Sequence, residues 1–427
     1  MGLAMKVALL TTMINGGAGR AATRLQHGLE SNGEDVRLIT RAMLEPNTPQ
    51  LLVRARETVL RAARFGDRFT RSAKLEIFSD DRAPLGSLPA RACAGADIIN
   101  LHWVAGLVDW RSFLASVPDG VPLVLSLHDE NSFTGGCHYD RGCTRYQQRP
   151  GCGACPQLGS NTTNDISRDV WQRKLDALSR IATGRLTLVA PSRWLAACAG
   201  RSSLLARFPA EVIENGIDLD VFSPSQRDRA RARLRVRDTD RIVLCAAVDV
   251  ANHRKGFHLL QRALRPLARV PGAALWIVGA GNMTLETAMP TRIFGMVTED
   301  AALADLYAAA DVVLMPSLQD NLPNVMIESL ACGTPVVGFD VGGIGEHVRP
   351  GVTGMLAADA DGLGEAILYH FEDVDRAALR RSCRAYAEAT FDLQRQANKV
   401  SKVFAEALSR WTRERGAHED APLVTSS

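Results

Sequence analysis

The chain has 427 residues, of which 46% are hydrophobic and 23% are charged, a composition typical of globular protein with enough residues for two or three domains. Its formal net charge of +3 is too small to indicate a nucleic-acid partner. It has no apolar run long enough to span a membrane and no apolar signal-peptide core at the N-terminus, so we expect a cytoplasmic protein.

Short β-rich runs alternate with helical patterns, which indicates an α/β fold with parallel sheets. Strands are predicted at 7–11, 36–40, 98–102, 121–128 and 186–190 in a first sheet, and at 242–248, 274–278, 292–294, 312–315 and 336–339 in a second. Helical periodicity covers 21–33, 255–267, 300–310, 323–332 and 363–373. These elements predict two doubly wound domains, 1–207 and 208–392, then a helix at 393–412 and a disordered tail at 413–427.

After the first predicted strand the chain passes through Gly16 and Gly17 into a helix. Glycines at such a turn let backbone N–H groups approach an anion, although an ordinary strand-to-helix turn has the same composition. No ribose-binding acid follows the second strand, where Thr40 and Arg41 stand instead. This departure from the dinucleotide-binding pattern argues against a dehydrogenase.

A basic amphipathic segment is predicted at 51–74, where seven cations and two acids are interleaved with apolar residues. Two interpretations stay open. The segment is either a helix packed on the first sheet with a solvated arginine face, or a peripheral contact with an anionic inner membrane.

Four of the nine cysteines lie close together in an insert at 135–157. Their spacing fits a structural zinc site, with His138 as an alternative ligand. Four free thiols, or a redox-active pair, remain the alternatives. The predicted zinc ligands are Cys137, Cys143, Cys152 and Cys155.

Two adjacent cations, Arg254 and Lys255, follow the strand predicted at 242–248 and begin the next helix. Cations are unfavourable at a helix N-terminus, whose dipole prefers anions. A bound diphosphate would resolve the conflict, since arginine can donate to two oxygens while lysine acts as a point charge. A solvated basic turn is the alternative.

The most informative stretch runs from Asp311 to Gly345, where a strand, a polar turn and a helix follow one another. Asp320 lies in the turn, and Glu328 lies eight residues further on, within the helix. Free N–H groups and the positive dipole end make this corner a natural site for phosphate or sugar hydroxyls.

This stretch resembles the donor-binding signature of glycosyltransferase family four, whose members are retaining enzymes of the GT-B fold. The family pattern is Glu, seven residues, Glu, and a tail that is intact here as Ala331-Cys-Gly-Thr-Pro-Val-Val337. Asp320 replaces the first Glu, which keeps the charge and shortens the side chain by one methylene. With the cysteine-rich loop, the resemblance extends over 16–354 and is strongest to bacterial exopolysaccharide (colanic-acid-type) transferases.

The resemblance implies two Rossmann-like domains that face each other across a cleft, with no cofactor required for catalysis. It also implies that the last helix crosses back to the first domain. Asp249 stands where the family often has an arginine, so Arg254 would replace it. The implied roles are diphosphate binding by Gly16, Gly17, Arg254 and Lys255, ribose binding by Glu328, sugar binding by Asp320, Asn321 and Leu322, base binding by Gly295, Met296 and Val297, and contact with the donor sugar by His128.

The expected activity is transfer of a sugar from a nucleotide-diphosphate donor to a sugar or lipid-linked acceptor hydroxyl, in cell-surface polysaccharide synthesis. Among enzymes, a sugar-nucleotide epimerase or a phosphorylase on the same fold is the alternative. A non-catalytic nucleotide-sugar-binding partner of a polysaccharide assembly complex is the alternative outside enzymes.

Overall fold

A computed structural model of the chain describes residues 4–65, 76–281, 285–372 and 374–419. Within these ranges, twelve strands form two separate six-stranded sheets, and all strand pairs inside them are parallel. In the described residues, helices connect all successive strands within each sheet except β8 and β9, so each sheet is a doubly wound α/β unit. The predicted fold class is confirmed.

The first sheet has the strand order β2-β1-β3-β4-β5-β6. Its central strands are nearly continuous apolar runs because helices cover both faces. The third predicted strand ends at Leu101 and not at His102, and β6 was not predicted. The strands are β1 (Lys6–Thr11), β2 (Asp35–Thr40), β3 (Ile98–Leu101), β4 (Leu123–Ser126), β5 (Leu186–Ala190) and β6 (Ala210–Val212).

The second sheet has the order β12-β11-β10-β7-β8-β9. The chain moves outward from β7 through β8 to β9 and then returns to β10 on the other side of β7. Such a reversal opens a crevice at the carboxyl ends of the two central strands. The strands are β7 (Arg241–Asp249), β8 (Ala273–Ala280), β9 (Thr291–Gly295), β10 (Val312–Met315), β11 (Val336–Phe339) and β12 (Gly354–Ala357).

The helices agree with the predicted periodicity except after β7. The helix predicted at 255–267 is broken into short 3₁₀ turns and one four-residue helix, since Gly256 has φ +73° and Pro266 cannot continue a helix. The helices are α1 (Gly16–Ser31), α2 (Arg41–Leu44), α3 (Gln50–Phe65), α4 (Leu88–Ala92), α5 (Trp110–Ser116), α6 (Ile166–Leu178), α7 (Arg193–Arg201), α8 (Arg227–Leu234), α9 (Leu260–Ala263), α10 (Asp300–Ala309), α11 (Asn324–Ala331), α12 (Ile344–His347), α13 (Ala360–Glu372), α14 (Arg376–Thr390) and α15 (Leu393–Glu419).

The last helix, α15, packs on the first sheet and on α1. Val400 and Phe404 are buried in one apolar cluster with Leu9 and Leu25. The helix continues to Glu419, so the disorder predicted from residue 413 is wrong for 413–419, and 420–427 lie outside the described residues. The domain boundary predicted after residue 207 stays a prediction, and β6 beyond it still belongs to the first sheet.

The basic segment predicted at 51–74 forms α3 up to Phe65, and its remainder lies outside the described residues. Arg56 pairs with Glu45 at 2.5 Å, while Leu51 and Val59 are 77% and 66% exposed. Over the described ranges, we find no helix whose length and apolar character would allow it to cross a bilayer.

Candidate functional site

Asp320 and the two predicted cations come together at the carboxyl ends of β7 and β10. Lys255 Nζ lies 2.6 Å from Asp320 Oδ2, and Arg254 Nη1 lies 3.2 Å from Asp320 Oδ1. Gly256 makes this approach possible, because a Cβ there would lie 1.7 Å from the carbonyl oxygen of Pro316. The order β10-β7 therefore brings two segments distant in sequence into one charged cluster.

The environment of Asp320 favours its ionised form. Its side chain is buried, with only 4% of the residue exposed, and burial by itself would raise the pKa of the carboxyl. The charges of Lys255 and Arg254 outweigh that effect and lower the pKa to about 2. Asp320 is therefore an anion held between two cations at neutral pH.

Arg254 is held by partners that the sequence did not indicate. Its Nε lies 3.1 Å from Glu76 Oε1, its Nη1 donates to the Gln319 carbonyl at 2.7 Å, and its guanidinium stacks 3.8 Å from the Tyr139 ring centroid. The Tyr139 hydroxyl also donates to Asp320 Oδ1 at 3.4 Å. Because Tyr139 lies in the cysteine-rich insert, that insert contacts the cation cluster directly.

Glu328 lies inside α11, 1% exposed, and its partners come from the first sheet's side of the molecule. Arg20 and Arg24, one turn apart on α1, each place Nη2 2.9 Å from Glu328 Oε1. Both arginines also reach Asp300, at 2.5 and 3.1 Å. The sequence signal for this contact was the i,i+4 spacing of two arginines directly after the glycine-rich turn.

Asn321 also joins the two halves of the chain. Its Oδ1 accepts from Ser192 Oγ at 2.6 Å, and its Nδ2 donates to the His128 carbonyl at 3.2 Å. Its neighbour Leu322 is buried in the apolar core of the second sheet. The side chains of Asn321 and Leu322 thus have structural partners, whatever their backbone groups bind.

The glycine-rich loop meets the start of α11. Asn324 Nδ2 donates to the Gly17 carbonyl at 3.1 Å, and a Cβ added at Gly16 or Gly17 would meet nothing within 4 Å. Gly19 differs, since a Cβ there would lie 2.4 Å from the Met13 carbonyl oxygen. The N-terminus of α1, which begins at Gly16, has no side-chain cap. The first two glycines therefore border open space, while Gly19 is needed for packing.

The residues predicted to hold the base lie apart from this cluster in the sheet. Gly295 ends β9, with Met296 and Val297 directly after it, and β9 is separated from β7 by β8. Met296 is 47% exposed. The three residues share the carboxyl edge with Lys255 and Asp320, at the outer strand of the sheet.

His128 follows β4 and faces a second histidine. His102 Nδ1 lies 2.9 Å from His128 Nε2, and His102 Nε2 lies 2.8 Å from Asn100 Oδ1. The neighbouring Asp129 is occupied by other groups, because Trp103 Nε1 and His138 Nδ1 reach its Oδ2 at 2.8 and 2.6 Å. His138 lowers the pKa of Asp129 against the opposing effect of burial.

The structure does not support the predicted zinc site. Cys137, Cys143, Cys152 and Cys155 line one small cavity of about 20 Å³, yet in the described part of the chain no three His, Cys, Asp or Glu side chains are arranged to hold a metal ion. Burial raises the pKa of the Cys137 thiol well above its usual range and that of Cys152 to about 12. His138, the alternative ligand, is bonded to Asp129 and Ser79.

Comparison with known proteins agrees with this architecture. Residues 240–373 match the family model described as glycosyl transferases group 1. The solved sucrose-phosphate synthase from Thermosynechococcus elongatus superposes with a TM-score of 0.65 at 20% identity, over 95% of this chain and 99% of that one. HepE from Anabaena, solved with UDP-glucose, gives a TM-score of 0.59 at 19% identity, over 94% and 99%.

Two curated relatives are D-inositol 3-phosphate glycosyltransferases. The Rhodococcus erythropolis protein is 29% identical over 60% of this chain, and the Mycobacterium avium protein is 32% identical over 48%. The matched parts span about half the length of these relatives, 54% and 51%. They do not support the specific resemblance to exopolysaccharide transferases. The chain thus has the GT-B fold, and residues 240–373 in its second half are similar to the glycosyl transferases group 1 family model.

Proposed function

We propose that the chain is a retaining glycosyltransferase that moves a sugar from a nucleotide-diphosphate donor to an acceptor hydroxyl. The observation that carries this proposal is the convergence of Arg254 and Lys255 on Asp320 at the carboxyl ends of β7 and β10. Cations held in place before the ligand arrives stabilise a leaving diphosphate without further reorganisation.

Both cations of the cluster are paired with carboxylates before a ligand binds. Asp320 neutralises one of the two cations, and Glu76 adds a second carboxylate beside Arg254. A diphosphate would compete with these carboxylates for Lys255 and Arg254, and the uncapped start of α1 at Gly16 offers further N–H donors. The donor phosphates would then lie between the two sheets.

Glu328 would hold the donor ribose, as the family resemblance implies. Both arginine bonds end on its Oε1, so Arg20 and Arg24 would orient the carboxylate for a ribose hydroxyl. Asp320, Asn321 and Leu322 would border the sugar, and backbone groups at 295–297 would border the base.

The proposed mechanism retains the anomeric configuration without a nucleophile from the enzyme. The state of two acids of the first domain, Asp129 and Glu130, is consistent with it. Both Asp129 oxygens are engaged, since Asn131 N–H bonds Oδ1 and two side chains bond Oδ2. Glu130 is fully buried, and burial raises the pKa of its carboxyl well above the usual range. Neither is a free, ionised carboxylate placed for attack.

The acceptor is proposed as a sugar or lipid-linked hydroxyl in cell-surface polysaccharide synthesis. The names of the curated relatives add a phosphorylated polyol, inositol 3-phosphate, as a second candidate. Contact with an anionic membrane would come from the segment 51–74. Vesicle flotation of wild type against Leu51→Gln tests that contact, since Leu51 is exposed, and equal partitioning of the two would contradict it.

The experiment for the main proposal starts from thermal shift with UDP, GDP, ADP and their glucose conjugates, because a bound ligand raises the melting temperature. The nucleotide that binds is then used as the sugar donor, and NMR of the product identifies its anomeric configuration. We expect transfer with retention. Turnover without an acceptor would indicate an epimerase, a requirement for inorganic phosphate would indicate a phosphorylase, and binding without turnover would indicate a non-catalytic partner.

A further inference from the structure

Three polar side chains form a line at the carboxyl edge of the first sheet. Asn100 lies in β3, His102 comes directly after it, and His128 follows the neighbouring strand β4. The contacts are 2.8 Å from Asn100 Oδ1 to His102 Nε2, and 2.9 Å from His102 Nδ1 to His128 Nε2. Asn100 is fully buried and His102 is 5% exposed, so water does not compete for these bonds.

The backbone fixes the direction of the line. Asn100 Nδ2 lies 3.1 Å from the carbonyl oxygen of Val124, an atom that can only accept a hydrogen bond. The amide nitrogen must therefore face Val124, which leaves Oδ1 facing His102. Because Oδ1 is also only an acceptor, the proton of His102 must be on Nε2.

Both imidazoles are neutral at pH 7. Burial lowers the pKa of His102 well below its usual range, and lowers that of His128 to about 4 in spite of the nearby Asp129. A neutral His102 with its proton on Nε2 has a bare Nδ1, which accepts a hydrogen bond from His128 Nε2–H. His128 is then neutral as well, and its own Nδ1 carries a lone pair and no proton.

We infer that Asn100 and His102 are positioning residues that fix the tautomer of His128, so that His128 Nδ1 accepts a hydrogen bond from a sugar hydroxyl. His128 is partly exposed, and among the described residues its side chain hydrogen-bonds to His102. The part of the inference that concerns the sugar rests on the proposed function, while the tautomer does not.

This assignment has a chemical consequence for the site. A bare nitrogen repels phosphate oxygens, so His128 does not compete with Arg254 and Lys255 for the diphosphate. A neutral ring also adds no positive charge beside a sugar carbon that becomes cationic in the transition state. The two sides of the cleft thus differ. The cations lie on the side of the second sheet, and a neutral hydrogen-bond acceptor, His128, lies on the side of the first.

The tautomer is measured directly by NMR on ¹⁵N-histidine-labelled protein at pH 7. Protonated and bare ring nitrogens resonate at different shifts, and the spectrum of a His128→Asn variant identifies the His128 signals among the nine histidines. We expect a protonated Nε2 and a bare Nδ1. A protonated Nδ1, or an imidazolium, would overturn the inference.

Two substitutions of His102 distinguish the hydrogen-bond relay from Asn100 through His102 to His128 from a packing role of the His102 ring. In His102→Gln the amide can donate to Asn100 and accept from His128, so we expect the wild-type tautomer. In His102→Phe the ring volume remains but the acceptor is lost, so we expect mixed tautomers at His128. An unchanged His128 tautomer in His102→Phe would contradict the relay. If His102→Phe does not fold, a changed His128 tautomer in His102→Gln would contradict the relay instead.

Transfer assays test the role of the tautomer. We expect kcat to fall roughly tenfold in His102→Phe, the size of one hydrogen bond, to recover within about threefold in His102→Gln, and nucleotide affinity to stay unchanged. Equal kcat in both variants and wild type would refute the role in transfer. The expected tautomer in a protein that transfers no sugar would refute the proposed function and leave the relay intact.

Discussion

Asp320 and Glu328 are two buried acids eight residues apart, each paired with two cations, yet the cations come from different places. Those of Asp320 lie on the loop after β7, in the same sheet unit. Those of Glu328 lie on α1, which belongs to the other sheet unit. The ion pairs of the first cluster are therefore set by strand order within one half, although Glu76 and Tyr139 of the other half also contact Arg254. The ion pairs of the second cluster depend on how the two halves meet.

The largest effect should come from the first cluster. In Lys255→Ala we expect transfer to fall by about 10²–10³, because a cation that stabilises the leaving diphosphate is lost from a buried site. The measurement is kcat/KM with the donor found by the thermal-shift screen. Arg262→Ala is the control, since Arg262 is an exposed cation of the same half, paired with Asp361. Near-normal transfer in Lys255→Ala would remove Asp320's cluster from the active site.

The second cluster should affect both activity and stability. We expect Glu328→Gln to reduce transfer about 10²-fold and to cost about 3 kcal/mol of unfolding free energy, because two arginines lose a buried partner. A double-mutant cycle with Arg24→Ala isolates the contact between the halves, and we expect a coupling of about 1–3 kcal/mol from urea denaturation. Coupling near zero would show that the two halves do not rely on this pair.

The pH dependence should distinguish Asp320 from an ordinary surface acid. The folded-state pKa is lowered to about 2, so the ion pairs contribute stability that is complete above the unfolded pKa of about 3.9 and is lost as pH falls through the folded value. We expect Asp320→Asn to be about 2 kcal/mol less stable than wild type at pH 7, with the difference narrowing from pH 4 towards pH 2. Urea titrations of both proteins at each pH measure the difference in unfolding free energy. A difference that does not change with pH would contradict the lowered pKa of Asp320.

The same comparison explains what the sequence could predict. Strands such as β10 and β11, and the location of Lys255 and Asp320 at the same edge of the sheet, follow from local apolar runs and from the rule that ligands bind at carboxyl strand ends. The partners that the sequence analysis missed, Arg20, Arg24 and Tyr139, contact residues about 115 to 310 positions away. The i,i+4 spacing predicts that Arg20 and Arg24 lie on one face of α1, but which residues they contact depends on how the two halves dock.

The smallest effects concern the loop that enters α1, where neighbouring glycines have different tasks. We expect Gly17→Ala to leave stability within about 0.5 kcal/mol, because its Cβ would meet nothing within 4 Å, and to weaken donor binding a few-fold by crowding the helix N-terminus. Gly19→Ala is the matched comparison. Its Cβ would lie 2.4 Å from the Met13 carbonyl oxygen, so we expect a lower melting temperature.

Since α1 also carries Arg20 and Arg24, a shift of the helix in Gly19→Ala would weaken the Glu328 cluster and leave that of Asp320 intact. Equal loss of stability in both variants would show that Gly17 is a packing residue and not part of an open anion site.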